Sequence, residues 1–227
     1  MNYRFWDLSL LFEYRDAFAQ GLFVTLFLTG SSIAIGTALG SPLGVLLAVK
    51  NPALRIVRSA IWLYIAVFGW LPVLVLLVWM YYVLPSAFGF RPSALVVSIV
   101  ALSLNLSAFV ADVIRGAILR VSIDDLEAAR AIGMRPSLRL RRIILPEVFR
   151  NSLPALFALY INQLKWTSIA SVIGVAELLH TADTVMIHTY RALEAYTAIA
   201  VIYLGIVGLL NAAYVALQRH PFFMQRR

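Results

Sequence analysis

Long apolar runs separated by short polar turns make up most of this chain. Each run holds about 20 residues or more, the length that an α-helix needs to cross the hydrocarbon core of a bilayer. Turn-forming and charged residues interrupt the pattern, as in Lys50-Asn51-Pro52. The pattern predicts a polytopic all-α membrane protein with five transmembrane helices, at about 21–49, 56–84, 93–114, 155–176 and 195–217.

Composition supports the same class of protein. Of 227 residues, 62% are hydrophobic and 13% are charged, and the mean hydropathy is +0.86. This is far more apolar than a soluble domain, and helices suit lipid because they satisfy their own backbone hydrogen bonds. We expect one transmembrane domain over 1–227, with no cleaved leader because the first run is too long for a signal-peptide core. The lack of cysteine excludes a disulfide framework and thiolate chemistry.

Lysine and arginine are unevenly divided between the two sides that five crossings define. Loops rich in these residues remain in the cytoplasm. One side holds 14 of them: Lys50, Arg55, Arg58, Arg115, Arg120, Arg130, Arg135, Arg139, Arg141, Arg142, Arg150, Arg219, Arg226 and Arg227. The other side holds four: Arg4, Arg15, Arg91 and Arg191. We therefore expect the N-terminus outside and the C-terminus in the cytoplasm. Topology accounts for the net charge of +8, so no nucleic acid is expected as a partner.

A polar, basic segment at about 116–150 interrupts the apolar pattern on the predicted cytoplasmic side. Asp124 and Glu127 have the spacing of a capping box at the start of a helix. Gly133 is placed to end that helix in a left-handed turn, and Pro136 can open a second helix. A helical segment of this kind, outside the bilayer, predicts a docking surface for another protein.

The same segment carries fixed residues at fixed spacing: Glu127, Ala128, Ala129, Gly133, Ile143, Leu145 and Pro146. This arrangement resembles the signature of the permease subunits of ABC importers. Further stretches at 21–28, 104–116 and 165–175 are similar to the branch that takes up polar amino acids, which includes histidine, glutamine, glutamate, arginine and opine permeases. The resemblance covers about 21–217.

The resemblance implies a function and a set of partners. The chain would be the permease subunit of an ATP-driven importer in a bacterial inner membrane, translocating a polar amino acid or similar small zwitterion by alternating access. The segment at 116–150 would form coupling helices on a cytoplasmic ATPase dimer, which would bind ATP and Mg²⁺. The other partners would be a second permease, an extracytoplasmic solute-binding protein and membrane lipid. This chain contains no phosphate-binding loop of its own, so no cofactor and no enzymatic activity are expected of it.

Polar residues inside the predicted crossings are candidates for the solute pathway. Ser98, Asn105 and Asp112 recur every seven residues and share one helix face. They either bond neighbouring helices or line the pathway, and Asp112 can pair with Arg115. A lysine in mid-crossing is costly and usually faces a cavity or a counter-charge. The pathway candidates are Asn105, Asn162, Lys165, Trp166, Gly69 and Trp70.

Two of these candidates depart from the family pattern. Members of the family that the chain resembles often carry Lys-Asp-Thr-Ser where this chain has Lys165-Trp166-Thr167-Ser168. They often carry Phe-Arg-Gly-Thr-Pro where it has Phe68-Gly69-Trp70-Leu71-Pro72. An arginine and an aspartate are both absent, which leaves the charge balanced. We expect Gly69 and Trp166 to lie near each other or each to face the cavity. The loss also favours a sister chain, rather than an identical one, as the second permease.

Glu177, His180, Asp183 and His188 follow the fourth predicted crossing. Their mixed intervals fit no standard metal arrangement, so an outer loop facing a periplasmic partner is expected rather than a metal site. A membrane enzyme would need a clustered nucleophile and base, which the sequence does not suggest. A passive channel or an assembly subunit remains the alternative to a transport subunit.

Overall fold

The structure is a computed structural model that describes residues 9–49, 51–89 and 91–219. Lys50, Arg4, Arg226 and Arg227, which contribute to the predicted orientation, lie outside these residues.

The described chain is helical, which confirms the all-α fold class. In chain order the α-helices are α1 (Ser9–Glu13), α2 (Arg15–Ala48), α3 (Arg55–Trp70), α4 (Val73–Val78), α5 (Leu84–Phe88), α6 (Ala94–Leu119), α7 (Ile123–Ala131), α8 (Pro136–Arg139), α9 (Leu145–Trp166), α10 (Leu178–Thr189) and α11 (Ala192–Gln218). Short 3₁₀ stretches lie at Pro52–Leu54 and Thr167–Ile173, and π-helical turns at Trp79–Val83 and Leu140–Ile144.

Within the described residues, four helices are long and apolar enough to cross a membrane: Arg15–Ala48, Pro52–Trp70, Ala94–Leu119 and Ala192–Gln218. A bent pair, Pro136–Ile173 followed by Leu178–Thr189, makes a fifth if the pair counts as one span. The predicted crossings at 21–49, 93–114 and 195–217 correspond to α2, α6 and α11. Each helix is longer than its apolar run or offset from it by a few residues.

The predicted second crossing at 56–84 is wrong as one continuous helix. The chain leaves helical geometry at Leu71, where φ is −67° and ψ is 136°. The next residue is Pro72, whose ring disfavours helical geometry in the residue before it. The run is therefore divided into α3 and a shorter apolar segment over Val73–Phe88.

The predicted fourth crossing at 155–176 also needs correction. α9 begins well before it, at Leu145, and a 3₁₀ stretch carries the chain on to Ile173. Gly174 then adopts a left-handed conformation with φ of 83°, and the Val175 N–H donates to the Ala170 oxygen over 3.2 Å. Helices commonly end in this way. The 3₁₀ stretch therefore ends at Gly174, and α10 follows it.

The helices pack as two compact units. One comprises the described parts of 1–32, 73–102 and 161–227, and the other comprises 33–72 and 103–160. We call them the first and second unit. The single domain expected over 1–227 stays a prediction.

Buried polar groups join the helices of the first unit. Gln163 is fully buried, and its Nε2 donates to Ser32 Oγ over 2.9 Å and to the Leu102 oxygen over 3.3 Å. Thr25 Oγ1 accepts from the Leu178 N–H over 3.1 Å. An apolar cluster around Leu178 fills the space between α2, α10 and α11.

Close helix approach organises the second unit. Glycines recur every four residues on α2, at Gly36, Gly40 and Gly44. A Cβ at Gly40 would lie 2.7 Å from Val110 Cβ and would also clash with the Ser107 carbonyl oxygen. Small residues at this spacing let the backbones of membrane helices approach. These glycines therefore set the α2–α6 contact.

Candidate functional site

The polar segment begins with a capped helix, but the cap differs from the prediction. Ser122 Oγ accepts a hydrogen bond from the Asp125 N–H over 3.2 Å, and the helix starts at Ile123. Asp124, the predicted cap, lies inside the first turn of α7. There its negative charge is favourable, because it lies at the positive end of the helix dipole.

The predicted left-handed turn at Gly133 is confirmed, with φ of 70°. The Gly133 N–H donates to the Arg130 oxygen over 2.9 Å, and the Met134 N–H donates to the Ala129 oxygen over 3.0 Å. This pair of hydrogen bonds is a Schellman end. The start of a second helix at Pro136 is also confirmed.

The second helix does not end in a loop but joins the next helix, and the boundary of the segment at about 150 stays a prediction. α8 continues through a π-helical turn, in which the Leu145 N–H bonds to the Leu140 oxygen, and joins α9 directly. The next residue, Pro146, has no N–H to give. Proline and π-turns are recognised places where helices bend. Ile143, Leu145 and Pro146 therefore belong to a continuous helical path into the membrane region.

An acceptor on α9 holds the start of α7. Glu147 Oε1 accepts from the Ser122 N–H over 3.3 Å. This backbone N–H lies at a helix start, where no intrahelical acceptor exists for it. Glu147 is therefore a positioning residue that sequence reasoning missed. The only local signal was an acidic side chain in a stretch otherwise rich in arginine.

α7 presents a mixed surface that the described part of the chain leaves uncovered. Ala129 is buried, whereas Glu127 and Ala128 are exposed. The large apolar side chains at either end, Ile123 and Ile132, are 70% and 76% exposed. Apolar side chains at this level of exposure beside charged ones are typical of protein-binding surfaces. Exposed arginines extend the same segment: Arg130, Arg135, Arg141 and Arg142.

Asn105, a predicted pathway residue, is buried and bonded to the main chain. Its Nδ2 donates to the Phe68 oxygen over 2.6 Å, while Oδ1 has no hydrogen-bond partner among the described residues. Gly69 is used for close packing, since a Cβ there would lie 3.2 Å from Ala108 Cβ. Both residues thus help to hold the end of α3 against α6, and their part in a solute pathway stays a prediction.

The other pathway candidates are more accessible. Asn162 and Lys165 are exposed on one face of α9, and Trp166 beside them is partly buried. Trp70, the last residue of α3, is 76% exposed. Gly69 and Trp166 fall in different units, and the proximity expected for them stays a prediction.

Asp112 and Arg115 form the ion pair expected from their spacing, with 4.0 Å between Oδ1 and Nη1. Both side chains are partly solvent-exposed, so the pair contributes little to stability. The pair holds the Arg115 side chain, whose guanidinium lies 5.3 Å from the centre of the Trp62 ring.

The predicted outer loop at Glu177 to His188 is wrong, because these residues cap and form α10. Glu177 is fully buried, and its Oε1 accepts from the His180 N–H over 2.8 Å. Its Oε2 accepts from the Tyr203 hydroxyl over 3.2 Å. The carboxylate thus joins α10 to α11. Among the residues that the structure describes, no group of three or more His, Asp or Glu side chains is placed to hold a metal.

Comparison with known proteins gives consistent matches. The family model described as "Binding-protein-dependent transport system inner membrane component" matches residues 40–221. The chain is 36% identical over 155 residues to the probable amino-acid ABC transporter permease protein PatM of Vibrio harveyi, covering 67% of this chain and 70% of PatM. It is 33% identical to the octopine transport system permease protein OccM of Rhizobium meliloti, covering 97% of this chain and 92% of OccM.

A solved structure described as an amino acid ABC transporter with histidines is similar over almost the whole chain. The TM-score is 0.85 and the sequence identity is 34%. The match covers 94% of this chain and 98% of the solved one.

Proposed function

This chain belongs to the family of inner-membrane components of binding-protein-dependent transport systems, and we propose that it is the permease subunit of an ATP-driven importer for a polar amino acid or a similar small zwitterion. The observation that carries the proposal is the exposed mixed surface of α7, held in place at both ends by Glu147 and by the Gly133 turn. The amino-acid and octopine permeases to which the chain is similar support the solute class.

In this proposal α7 is the coupling helix, and it docks on one subunit of a cytoplasmic ATPase dimer. Glu127 and the flanking Ile123 and Ile132 form the contact. Closure of the ATPase dimer moves α7, and the continuous path through the π-turn to α9 carries the movement into the membrane region. The movement biases a two-state equilibrium between outward-open and inward-open forms, which is alternating access. ATP and Mg²⁺ belong to the partner ATPase.

The solute pathway would be formed with a second permease, a sister chain rather than an identical one. Lys165 and Asn162 are accessible on α9, and a lysine in a membrane crossing needs a counter-charge. The carboxylate of a transiting amino acid or an acid of the sister chain would supply it. Trp166 and Trp70 would contact the solute or the sister chain. Asn105 and Gly69 would act on the pathway by fixing the end of α3.

We also propose an orientation of the chain in the inner membrane. The exposed arginines of the α7–α8 segment would face the cytoplasm, where short basic loops are retained. The N-terminus would then lie outside and the C-terminus inside. An extracytoplasmic solute-binding protein would deliver the solute on the other side, and membrane lipid would cover the exposed apolar faces.

The test is reconstitution of the chain with its sister permease, ATPase and binding protein in proteoliposomes. Uptake of a labelled amino acid should require ATP inside the vesicles and the binding protein outside. Solute flux without ATP would instead favour a passive channel. Failure of an ATPase to co-purify with the chain would favour an assembly subunit and overturn the proposal.

A further inference from the structure

A cavity of about 420 Å³ opens at the start of α3, in the second unit. It is lined by Asn51, Pro52, Arg55, Arg58, Ser59 and Trp62. The lining offers two guanidinium groups, an amide and an indole, while the Ser59 hydroxyl already donates to the Arg55 oxygen over 3.1 Å. Asn51 Oδ1 already accepts from the Ala53 N–H over 3.0 Å, which leaves the amide nitrogen as the donor that Asn51 can give to a ligand. The cavity is thus rich in donors and positive charge.

The positive charge of this cavity is not neutralised by the described part of the chain. Within those residues, neither Arg55 nor Arg58 forms an ion pair, and Arg58 Nε is buried without a hydrogen-bond partner. A buried donor without a partner costs free energy. Arginine presents a planar fork of donors that matches two oxygens of a phosphate. A phosphate group in the cavity would neutralise both guanidinium charges together.

The cavity lies near the end of α6 that leads into α7, within the second unit. Trp62 contacts Arg115, near the end of α6, and α7 follows α6 after a short turn. Tryptophan is enriched at membrane–water boundaries, where its ring is apolar and its N–H reaches water. The cavity therefore lies where a headgroup would meet the protein.

An apolar stripe runs beside the cavity on the same helix. Ile56 and Leu63 are seven residues apart on α3, and they are 83% and 66% exposed. They lie next to the Arg55–Trp62 face, and side chains so exposed on a membrane helix are suited to contact acyl chains. Inorganic phosphate would make no use of this stripe, whereas a phospholipid would use both the stripe and the cavity.

We propose that this cavity binds the phosphate headgroup of an anionic phospholipid, with Arg55 and Arg58 on the phosphate and acyl chains along Ile56 and Leu63. Basic sites at the cytoplasmic ends of membrane helices are suited to anionic headgroups. The binding is independent of the solute that the transporter carries.

The test measures lipid binding by the purified full-length chain in neutral detergent. Phosphatidylglycerol and phosphatidylcholine are titrated separately, and bound lipid is counted by native mass spectrometry. The double variant Arg55→Gln with Arg58→Gln should bind phosphatidylglycerol about tenfold more weakly or worse, since it removes two charge-assisted contacts. Phosphatidylcholine should bind weakly to both proteins. The charge-matched control is Arg91→Gln with Arg219→Gln, at exposed positions that do not line the cavity, and its affinity should match that of wild type.

Several outcomes would overturn the proposal. An equal loss of phosphatidylglycerol affinity in the control variant would mean that the lipid binds through net charge and not in the cavity. Displacement of the lipid by inorganic phosphate at comparable concentration would identify a free-phosphate site. Loss of a co-purifying ATPase with unchanged lipid affinity would assign the cavity to a subunit contact.

If the double glutamine variant does not fold, Arg55→Lys with Arg58→Lys keeps both charges and loses the planar forks. It should show an intermediate affinity, and wild-type affinity would contradict the paired contact. Solute uptake is not measured in any of these arms, so a failure here leaves the transport proposal standing. A failure of uptake likewise leaves the lipid proposal standing.

Discussion

Asn105 on α6 donates from Nδ2 to the main-chain oxygen of Phe68 on α3, over 2.6 Å. In an uninterrupted helix this oxygen would accept from the N–H of the residue four positions on, which here is Pro72. Proline has no N–H to donate. Asn105 thus supplies the donor that Pro72 removes, and a neighbouring helix stabilises the break at the end of α3.

This relationship predicts a coupling between two substitutions. Asn105→Leu keeps the number and branching of the side-chain heavy atoms and leaves the Phe68 oxygen buried without its donor, so it should lower the free energy of unfolding by about 1–3 kcal/mol. In the Pro72→Ala background a main-chain N–H becomes available to the same oxygen. In that background Asn105→Leu should lower the free energy of unfolding by clearly less.

Reversible denaturation of the four proteins in mixed micelles measures this coupling as a double-mutant cycle. Asn105→Asp is a useful companion, because it keeps the size and removes both donor hydrogens. Equal costs of Asn105→Leu in the two backgrounds would show that the bond to Phe68 is not what stabilises the break.

The break at Pro72 shows where sequence patterns stop being sufficient. Hydropathy is nearly uniform from 56 to 84, so the run resembles a single crossing. Proline alone does not decide the matter, since Pro42 lies inside α2 and Pro154 lies inside α9 without ending either helix. At Pro72 the break is accompanied by a donor from Asn105, 33 positions further along the chain. That contact is tertiary, and no local pattern contains it.

A second prediction concerns the close approach of α2 and α6. Gly40→Ala places a methyl group against Val110 and the Ser107 oxygen, and overpacking of this kind costs about 1–3 kcal/mol. Gly30→Ala on the same helix is the matched control, because no atom lies within 4 Å of its Cβ position. It should leave stability unchanged or raise it by up to about 1 kcal/mol. Unfolding in mixed micelles measures the stability of both variants. An equal change of stability in the two would contradict the packing role of Gly40.

A third prediction concerns the coupling segment. Gly133→Val puts a β-branched side chain at a φ of 70°, with a penalty of about 1–2 kcal/mol, so the turn after α7 should distort. In the reconstituted transporter the variant should reach the membrane, yet hydrolyse ATP without matching uptake or lose the ATPase. Glu127→Lys should have the same effect by reversing a charge on the exposed face of α7.

Gly133→Asn provides the control for this third prediction. Asparagine tolerates the left-handed region better than other side chains, so uptake per ATP should stay near the wild-type value. Normal uptake by both Gly133→Val and Glu127→Lys would contradict the docking role of α7.

The coupling segment was more predictable than the membrane region because its signals are local. Gly133 and Pro136 specify their turn and helix start within a few residues. Ser122 and Asp124 are both good capping residues, and the choice between them is fixed by Glu147, 25 positions away. Glu177 shows the same limit. Its position after the fourth predicted crossing suggests an outer loop, but Glu177 is buried and accepts a hydrogen bond from Tyr203 in α11.

A fourth prediction assigns Lys165 to transport. This side chain lies on the exposed face of α9 beside Asn162, and the next residue is Trp166. An ammonium group in a membrane crossing needs a counter-charge, which a transiting carboxylate or an acid of the sister chain can supply. Lys165→Met keeps most of the apolar stem and removes the charge. Uptake in proteoliposomes should fall at least about tenfold, the equivalent of about 1.4 kcal/mol.

Two further measurements separate transport from structure for Lys165. In Lys165→Met, assembly with the ATPase, measured by co-purification, and basal ATP hydrolysis should both persist. Lys165→Arg should recover part of the uptake because it restores the charge. Failure of the subunits to assemble would make Lys165 a structural contact. Unchanged uptake in Lys165→Met would mean that the ammonium group extends along its stem to the membrane surface and has no part in the pathway.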